Sequence, residues 1–464
     1  MTASFVVFSM ASSKMHIGQV LHISDPHLDQ YYDSRISAGE CRCHWNPHKD
    51  NCSASTSTST SGKSGSFGCD SPPSLVRSAI NAAADVAPGD TLPVLLSGDF
   101  TRHGSGDYQN PSNLVLDAFK NISSWMRDAG FKIVVSTWGN NDFRQNYYFD
   151  VDKKCSEQSL LAATSKFVAS NLPNVNAINH MLPTSMECFG YYAYEIGDDA
   201  PVKIRILSLN TIMYSVNHQP KDLTNFDPGG QFQWMEDQLT ACLQDMSCDA
   251  VWILGHVPPG REWCNGDPSW EEIYVKKYVS LLKKFSKHGI IKGQIFGHEH
   301  INSIRLIDAD DLDIPPIIIS AAISPVYSNR PSFRVIDYDR DRGGQNYGSI
   351  LNFHVYGLKN DNFQQLEWEE RFSGNTEFGL KNISGRSVLT WFNSFALNPT
   401  MNAPFQKFVT RSWDRDTLTP PMNSPCLSHP NICHLKYVLE SDIVICISKE
   451  EEKEKKEKKE TMRS

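Results

Sequence analysis

Short runs of β-branched and other apolar residues alternate along the chain with longer stretches in which apolar residues recur at helical spacing. The short runs predict β-strands at 20–24, 92–97, 132–137, 203–210, 250–254 and 290–296. The helical spacing predicts helices at 75–86, 113–129, 230–243 and 270–287. Because strands and helices alternate, the pattern indicates βαβ units in a layered α/β fold.

The helical spacing stops after residue 304, and apolar runs at 317–321, 332–338 and 350–356 predict a second sheet packed on the first. We therefore divide the chain into an N-terminal segment (1–17), a catalytic domain (18–358), a C-terminal subdomain (359–435) and a charged tail (436–464). The tail carries six Lys and six Glu at 449–460, which predicts a solvent-exposed helix or a disordered segment.

Composition narrows the function classes. The 464 residues are 40% hydrophobic, which is enough for a large core and excludes a wholly disordered or fibrous chain. The net charge of −9 lacks the basic excess of a nucleic-acid-binding module. No apolar run approaches the ~20 residues that cross a bilayer, so we predict no transmembrane segment. We expect a monomer.

The cysteines fall into close groups along the chain, and such spacings suit disulfides in an oxidising compartment. The groups are Cys41, Cys43, Cys52 and Cys69; Cys155 and Cys188; Cys242 and Cys248; and Cys426 and Cys433. We therefore expect a secreted protein or one of the lysosomal or vacuolar lumen. Residues 1–13 resemble a signal peptide poorly, because no basic residue precedes their apolar stretch, and we expect a truncated start.

Two further features bear on the compartment and on metal binding. A zinc cluster built from Cys41, Cys43, His44 and His48 is an alternative to disulfides there, although the spacing matches no common zinc module. The candidate glycosylation sites of a secretory route are Asn51, Asn121 and Asn382.

Five short polar motifs follow the ends of predicted strands. They are Asp25-Pro26-His27, Gly98-Asp99 with His103, Gly139-Asn140-Asn141-Asp142, Gly255-His256 and Gly297-His298-Glu299-His300. Because open α/β sheets place ligands at the carboxyl ends of their strands, we expect these loops to converge.

The residue types in these motifs point to metal chemistry. Carboxylate, amide and imidazole groups suit borderline divalent metals such as zinc, manganese or iron. Asp99 can bridge two ions through its two oxygens, and His298 and His300 can face different ions. Two ions with positions left open for water and substrate would therefore fit these side chains. The seven candidate ligands are Asp25, His27, Asp99, Asn140, His256, His298 and His300.

The set D-x-H, G-D-x-x-x-H, G-N-x-D, G-H and G-H-x-H resembles the calcineurin-like metallophosphoesterases. Residues 69–72 (CDSP), 256–260 (HVPPG) and 324–335 further resemble acid sphingomyelinase-like phosphodiesterases and endopolyphosphatases. The resemblance implies zinc and a four-layer α/β/β/α sandwich of two mixed sheets, to which we add a small C-terminal helical subdomain.

Carried over by position, the resemblance implies two ligand sets that share Asp99. One metal would be held by Asp25, His27, Asp99 and His300, and the other by Asp99, Asn140, His256 and His298. It also implies that His103 lies near the leaving group, where we expect it to act as the general acid.

We expect Asn141, Arg102 and Tyr327 to contact substrate. Two kinds of flank are open for the cleft: an apolar one around Trp263 and Trp270, which suits lipids or nucleobases, and a basic one around Arg102, Arg144 and Arg261, which suits polyphosphate.

The predicted function is hydrolysis of phosphodiester or phosphoanhydride bonds by in-line attack of a hydroxide that bridges two metals, as in an acid sphingomyelinase-like phosphodiesterase. The substrate would be a phosphodiester, a nucleotide, a sphingophospholipid or polyphosphate. An endopolyphosphatase is the alternative, because Asn141 stands where most relatives have His and a polyphosphate leaving group needs little protonation. A non-catalytic binding protein would lack a ligand, and phosphomonoesterases usually carry Asp-His-Gly in the first motif.

Overall fold

The computed structural model describes residues 17–38, 41–46, 52, 62–86, 92–173, 183–197, 202–244, 248–344, 346–395, 403–414 and 431–461. Within these ranges the chain forms two six-stranded sheets flanked by helices. The strands are β1 (Ile17–Ile23), β2 (Val94–Leu96), β3 (Val134–Ser136), β4 (Tyr192–Ile196), β5 (Ile204–Ser208), β6 (Ala250–Leu254), β7 (Ile291–Phe296), β8 (Ser303–Arg305), β9 (Ile317–Ile319), β10 (Ser332–Asp339), β11 (Ile350–Leu358) and β12 (Trp368–Ser373).

The helices lie between and after the strands. They are α1 (Pro73–Val86), α2 (Pro111–Asp128), α3 (Ser159–Ala169), α4 (Thr184–Phe189), α5 (Gln231–Gln244), α6 (Glu272–Ser286), α7 (Gly374–Phe378), α8 (Gly385–Phe392), α9 (Ala403–Ser412), α10 (Asn431–Lys436) and α11 (Glu440–Thr461). No helix in these ranges combines the length and apolar character that a membrane span requires.

Both sheets are mixed. The first has the order β12-β11-β10-β1-β2-β3, with β1, β2 and β3 parallel and the other pairings antiparallel. The second has the order β4-β5-β6-β7-β9-β8, in which β5, β6, β7 and β9 run parallel. Parallel strands end at the same edge of a sheet, so each sheet presents a row of loops at its carboxyl edge.

The two sheets pack face to face, with helices on the outside. Trp252 of β6 lies edge-on to Tyr338 of β10, with ring centroids 5.5 Å apart, so side chains of the two sheets meet. Helices α5 and α6 contact β6 and β7 of the second sheet, and α1 contacts β10 of the first. The predicted α/β fold with two mixed sheets is confirmed.

The prediction that the strands after residue 304 form a second sheet by themselves is wrong. Strands β10 and β11 extend the first sheet beside β1, whereas β9 joins the second sheet beside β7. The second sheet is built mainly from β5, β6 and β7, which the alternating pattern had placed with β1. Apolar periodicity identifies a buried strand but not its partner across the chain.

The C-terminal part of the chain joins both a sheet and a disulfide. Strand β12 pairs with β11 at the edge of the first sheet, so the predicted subdomain 359–435 shares hydrogen bonds with the catalytic domain. Helix α11 carries Cys446, which is bonded to Cys433 of α10. The expected grouping of Cys433 with Cys426 is therefore wrong, and Cys426 lies outside the described residues. The run 449–460 lies entirely on α11, which is the helical alternative for the tail.

Of the eleven cysteines in the described ranges, ten form five disulfides with one another, Cys264 is also disulfide-bonded, and none is free. The pairs are Cys41–Cys52, Cys43–Cys69, Cys155–Cys188, Cys242–Cys248 and Cys433–Cys446. The alternative zinc cluster is wrong, because Cys41 and Cys43 are both oxidised; His48 lies outside the described residues. Five disulfides fit a secreted or lumenal protein.

The three sequons differ in their surroundings. Asn51 lies outside the described residues. Asn121 is half-buried on α2, and Ser123 of the same sequon is buried. The Asn382 side chain accepts a hydrogen bond from the Ser384 hydroxyl, 2.7 Å away. Glycosylation of these positions stays a prediction.

A pH-dependent contribution to stability comes from His354, which joins three neighbouring strands of the first sheet. Its Nε2 lies 3.0 Å from Asp337 Oδ2 on β10, and its Nδ1 lies 2.8 Å from Glu370 Oε1 on β12. The bond to Asp337, followed by that to Glu370, raises the His354 pKa from 6.5 to about 9. Because the folded pKa is raised, the contribution is complete below pH 6.5 and is lost as the pH rises through about 9.

We therefore expect His354→Gln to lower the free energy of unfolding by about 1 kcal/mol at pH 6 and to have little effect at pH 10. Urea unfolding at the two pH values measures the difference, with His288→Gln in the exposed turn after α6 as the control. Equal destabilisation at both pH values would show that His354 acts through packing alone.

Candidate metal centre

The five polar motifs converge at the carboxyl edges of both sheets. Loops after β1, β2 and β3 come from the first sheet, and loops after β6 and β7 come from the second. Five of the seven candidate ligands have positive φ, between 39° and 72°, where residues with a Cβ are uncommon. Such conformations cost about 1–3 kcal/mol each and cluster at functional sites. These five residues are Asp25, His27, Asp99, His298 and His300.

The first group of ligand atoms surrounds His27. Its Nε2 lies 3.0 Å from His300 Nε2, 3.3 Å from Asp99 Oδ2 and 3.8 Å from Asp25 Oδ1. His300 Nε2 is in turn 3.5 Å from Asp25 Oδ1. Two imidazoles and two carboxylates thus face one another across distances of a few ångströms, all of them buried.

The second group surrounds His256. Its Nε2 lies 3.0 Å from Asn140 Oδ1 and 3.3 Å from Asp99 Oδ2. The ligand atoms of Asp99, His256 and His298 all lie within 4.8 Å of one another. Asp99 Oδ2 therefore lies between His27 and His256, and His298 and His300 fall into different groups. Asp25, His27 and Asp99 could hold one metal ion, and Asp99, His256 and His298 could hold another.

Neighbouring carbonyls orient the two central imidazoles. His27 Nδ1 lies 3.0 Å from the Thr101 carbonyl, and His256 Nδ1 lies 2.6 Å from the Ser97 carbonyl. A carbonyl only accepts, so each Nδ1 carries a proton and donates it, and Nε2 is the ring nitrogen that faces the site. Metal-binding histidines are typically held in this way.

The electrostatics of the protein chain alone favour neutral imidazoles in most of the site. Burial lowers the pKa of His27 and His298 to about 3 each and that of His300 well below its ordinary value. Burial would also lower the pKa of His256, but the Asp99 and Asp25 carboxylates raise it to about 9. A metal ligand must be neutral imidazole, so three of the four histidines already have the required form at neutral pH.

The nitrogen and oxygen atoms that converge in the site suit divalent cations. His27 and His300 turn ring nitrogens towards each other, and His300 Nδ1 is buried with no hydrogen-bond partner among the described residues. Burial raises the pKa of Asp25 to about 6, whereas His256 and His27 hold the Asp99 pKa well below its usual range despite burial. Converging lone pairs on nitrogen and oxygen, with so few protons among them, are the donor set of a divalent cation.

Two glycines allow this close approach. A Cβ on Gly139 would lie 2.1 Å from Asp99 Oδ1, and one on Gly297 would lie 2.7 Å from Asp25 Oδ2. Any side chain at these positions would therefore displace a candidate ligand.

His103 lies at the edge of the site and is held by Asp70. His103 Nδ1 donates to Asp70 Oδ1 at 2.7 Å, and the His103 ring stacks on that of His27 with centroids 4.0 Å apart. Its Nε2 faces the cleft, 3.3 Å from the Tyr327 hydroxyl. Burial would raise the Asp70 pKa, but His103 holds it well below its usual range, so Asp70 is an anion that orients the ring.

Sequence reasoning missed the role of Asp70. It lies 33 residues before His103, and nothing in its spacing links the two. The only signal was the Cys69-Asp70-Ser71-Pro72 segment, which the resemblance included without assigning a function.

Two of the three predicted substrate contacts line the cleft. Tyr327 and Asn141 lie on its wall, and the Asn141 amide donates to Asp99 Oδ2 at 2.8 Å. Arg102 does not line it: the side chain is buried, with Nε 3.7 Å from Asp29 Oδ1 and the guanidinium over the Tyr108 ring. Arg102 is not among the residues that line the cleft, so this placement lends its predicted contact with substrate no support, and the contact stays a prediction.

The cleft has a volume of about 180 Å³ and is lined mostly by polar groups. The expected apolar flank is wrong, because Trp263 and Trp270 are both buried in the core. Arg261 pairs with Glu440 and does not line the cleft. The cleft lining consists of Arg42, Asp99, His103, Gly104, Asn140, Asn141, Asn146, Tyr147, His298, His300 and Tyr327.

Comparison with known families is consistent with this geometry. The calcineurin-like phosphoesterase family model matches residues 18–302, a range that contains all seven candidate ligands. The chain belongs to the calcineurin-like phosphoesterase family. This membership confirms the resemblance seen in the motifs, and it makes the protein a hydrolase of phosphoric esters.

Relatives within the family show which of its branches the chain resembles. The chain is 27% identical over 398 residues to human acid sphingomyelinase-like phosphodiesterase 3b, covering 82% of this chain and 80% of that protein. It is 25% identical over 374 residues to the human cyclic GMP-AMP phosphodiesterase SMPDL3A, covering 76% and 74% of the two chains. It is 26% identical over 417 residues to the endopolyphosphatase of Schizosaccharomyces pombe, covering 81% and 67%. This calcineurin-like phosphoesterase thus resembles both diesterases and a polyphosphatase.

Proposed function

We propose that this protein hydrolyses phosphodiester or phosphoanhydride bonds with the help of two divalent cations, as an acid sphingomyelinase-like phosphodiesterase. The observation that carries the proposal is the convergence of seven side chains from both sheets beside one polar cleft, which four of them line. One cation would be held by Asp25, His27, Asp99 and His300, and the other by Asp99, Asn140, His256 and His298. The histidine-rich donor set favours zinc.

The bound cations would supply an activated water nucleophile and neutralise charge that builds on the phosphoryl oxygens. The remaining steps belong to this chain's own side chains. His103 donates a proton from Nε2 to the leaving oxygen, because Nδ1 is occupied by Asp70 and Nε2 faces the cleft. Asn141 holds the Asp99 carboxylate in place through its amide.

A second candidate, an endopolyphosphatase, is supported by Asn141. Its amide is engaged with Asp99 and cannot protonate a leaving group as an imidazolium does. His103 would then be the single general acid among the groups that line the cleft, and a phosphate leaving group places a smaller demand on it than an alkoxide does. The polar lining of the cleft agrees with such a substrate.

Initial rates on a small panel test the proposal. The panel contains bis-(p-nitrophenyl) phosphate, sphingomyelin, a nucleoside triphosphate, a cyclic dinucleotide and long-chain polyphosphate. We expect hydrolysis of bis-(p-nitrophenyl) phosphate that stops on chelation and returns with zinc or manganese, and the highest kcat/KM identifies the substrate class. A zinc- or manganese-loaded protein that cleaves none of the five would contradict the proposal.

We further propose that the protein acts in a secreted or lumenal setting. The five disulfides support this location, because such bonds persist in oxidising compartments and are rare in the cytosol.

A further inference from the structure

Arg42 lines the cleft, and no step described above uses it. It lines the cleft together with His103 and Tyr327, and it is the one arginine or lysine among the described lining residues. The expected basic flank had been assigned to Arg102, Arg144 and Arg261, none of which lines this cleft.

The backbone around Arg42 is held in an uncommon conformation. Arg42 has φ 49° and Cys43 has φ 64°, so two successive residues with side chains lie in the left-handed region. Backbone hydrogen bonds stabilise this strained conformation. The Cys43 N–H donates to the Ser37 carbonyl at 3.1 Å, and the His44 N–H donates to the Cys41 carbonyl at 3.0 Å. Conformations of this kind persist where the surroundings fix them, and they mark functional positions.

Two disulfides fix the residues on either side of Arg42. Cys41 is bonded to Cys52, and Cys43 is bonded to Cys69. Cys69 directly precedes Asp70, the residue that orients His103. Arg42 is therefore tied covalently to the same short segment that positions the candidate general acid.

The charge of Arg42 is available to a ligand. No carboxylate among the described residues forms an ion pair with its guanidinium, whereas Arg35 in the same loop is paired with Asp33 at 2.6 Å. The guanidinium acts on its neighbours in the cleft, since burial raises the pKa of Tyr327 and Arg42 opposes that rise. A planar guanidinium binds phosphate oxygens in pairs, and it repels a quaternary ammonium group.

We propose that Arg42 is a specificity-determining residue that binds a second phosphoryl group, next to the one that is cleaved. This inference rests on the proposed hydrolysis at the metal centre and narrows its substrate class. Arg42 acts electrostatically on Tyr327 and Asp70, the two residues that contact the His103 ring nitrogens, so the second phosphoryl group would lie on the leaving-group side. The substrates selected are phosphoanhydrides, such as polyphosphate or a nucleoside triphosphate, rather than a phosphocholine lipid.

Substitution of Arg42 tests this selection through the ratio of the kcat/KM values for two substrates. We expect Arg42→Gln to lower kcat/KM for tripolyphosphate by about 10–100-fold, mainly through KM, because a charged hydrogen bond is lost. The value for bis-(p-nitrophenyl) phosphate, which has a single phosphoryl group, should change less than about 3-fold. Arg42→Lys should be intermediate, and Arg35→Gln, which removes a charge outside the cleft, should leave both values unchanged.

A binding measurement separates this inference from the proposed function. Calorimetric titration with imidodiphosphate, whose P–N–P bridge resists hydrolysis, should show about 10-fold weaker binding to Arg42→Gln, while inorganic phosphate binds as before. Equal losses for both anions, or no loss for imidodiphosphate, would overturn the role of Arg42. Failure of the proposed function would instead appear as a wild-type protein that cleaves neither substrate.

Discussion

Asp99→Ala is expected to lower kcat/KM for bis-(p-nitrophenyl) phosphate by roughly 10³-fold or more and to reduce the metal content of the protein. The reason is the position of its carboxylate. Asp99 Oδ2 lies 3.3 Å from both His27 Nε2 and His256 Nε2, so it is the group shared by the two ligand sets. Removing it would take a ligand from each of the two proposed cations and leave their mutual repulsion uncompensated.

Two companion variants make the Asp99 result interpretable. Asp99→Asn keeps the shape of the side chain and its contact with Asn141 but removes the charge, so it should show nearly the same loss. Asp33→Ala removes a carboxylate that is paired with Arg35 outside the cleft, and it should behave as wild type. An Asp99→Ala protein that keeps more than a tenth of the wild-type kcat/KM would show that this carboxylate is not the shared ligand.

His103→Ala is expected to lower kcat by roughly 10²–10⁴-fold while the metal content stays near that of the wild type. His103 stacks on His27 but directs Nδ1 to Asp70, and under the proposed mechanism it serves as a proton donor and not as a metal ligand. The loss should be larger for an alkyl ester than for a p-nitrophenyl ester, because p-nitrophenolate needs little protonation when it leaves. His288→Ala, on the protein surface, is the matched control.

Substitution of Asp70, the partner of His103, tests the predicted role of His103 in a second way. Asp70→Asn should lower kcat by roughly 10–100-fold, because the imidazole loses the partner that fixes its orientation. In the double variant that combines Asp70→Asn with His103→Ala, kcat should fall by the same factor as in His103→Ala alone. Loss of metal in His103→Ala would show that His103 completes a ligand group with His27 and His300, and it would refute the general-acid role.

The parts of this site that the sequence predicted depend on residues that are close together in the chain. A buried strand, the glycine that follows it and the polar residue after that are neighbours in the chain, so Asp99 and His256 could be placed at strand ends from periodicity alone. The convergence of the loops followed from the common direction of parallel strands.

The parts that the sequence did not predict depend on distant contacts. Which sheet β10 joins is decided by hydrogen bonds to β1, more than 300 residues earlier along the chain. The Asp70–His103 pair joins two loops, and the burial of Arg102 depends on Asp29 and Tyr108. The position of Arg42 at the cleft depends on the two disulfides that fix its loop, and the sequence alone did not predict it.

Metal analysis of the natively purified protein tests the central claim most directly. Inductively coupled plasma mass spectrometry, combined with bis-(p-nitrophenyl) phosphate hydrolysis on the same sample, should find two divalent cations per chain in active protein. Activity should fall to background as chelation removes them. A protein that hydrolyses this ester at an unchanged rate with no metal bound, or that takes up no divalent cation when zinc is supplied, would contradict the account.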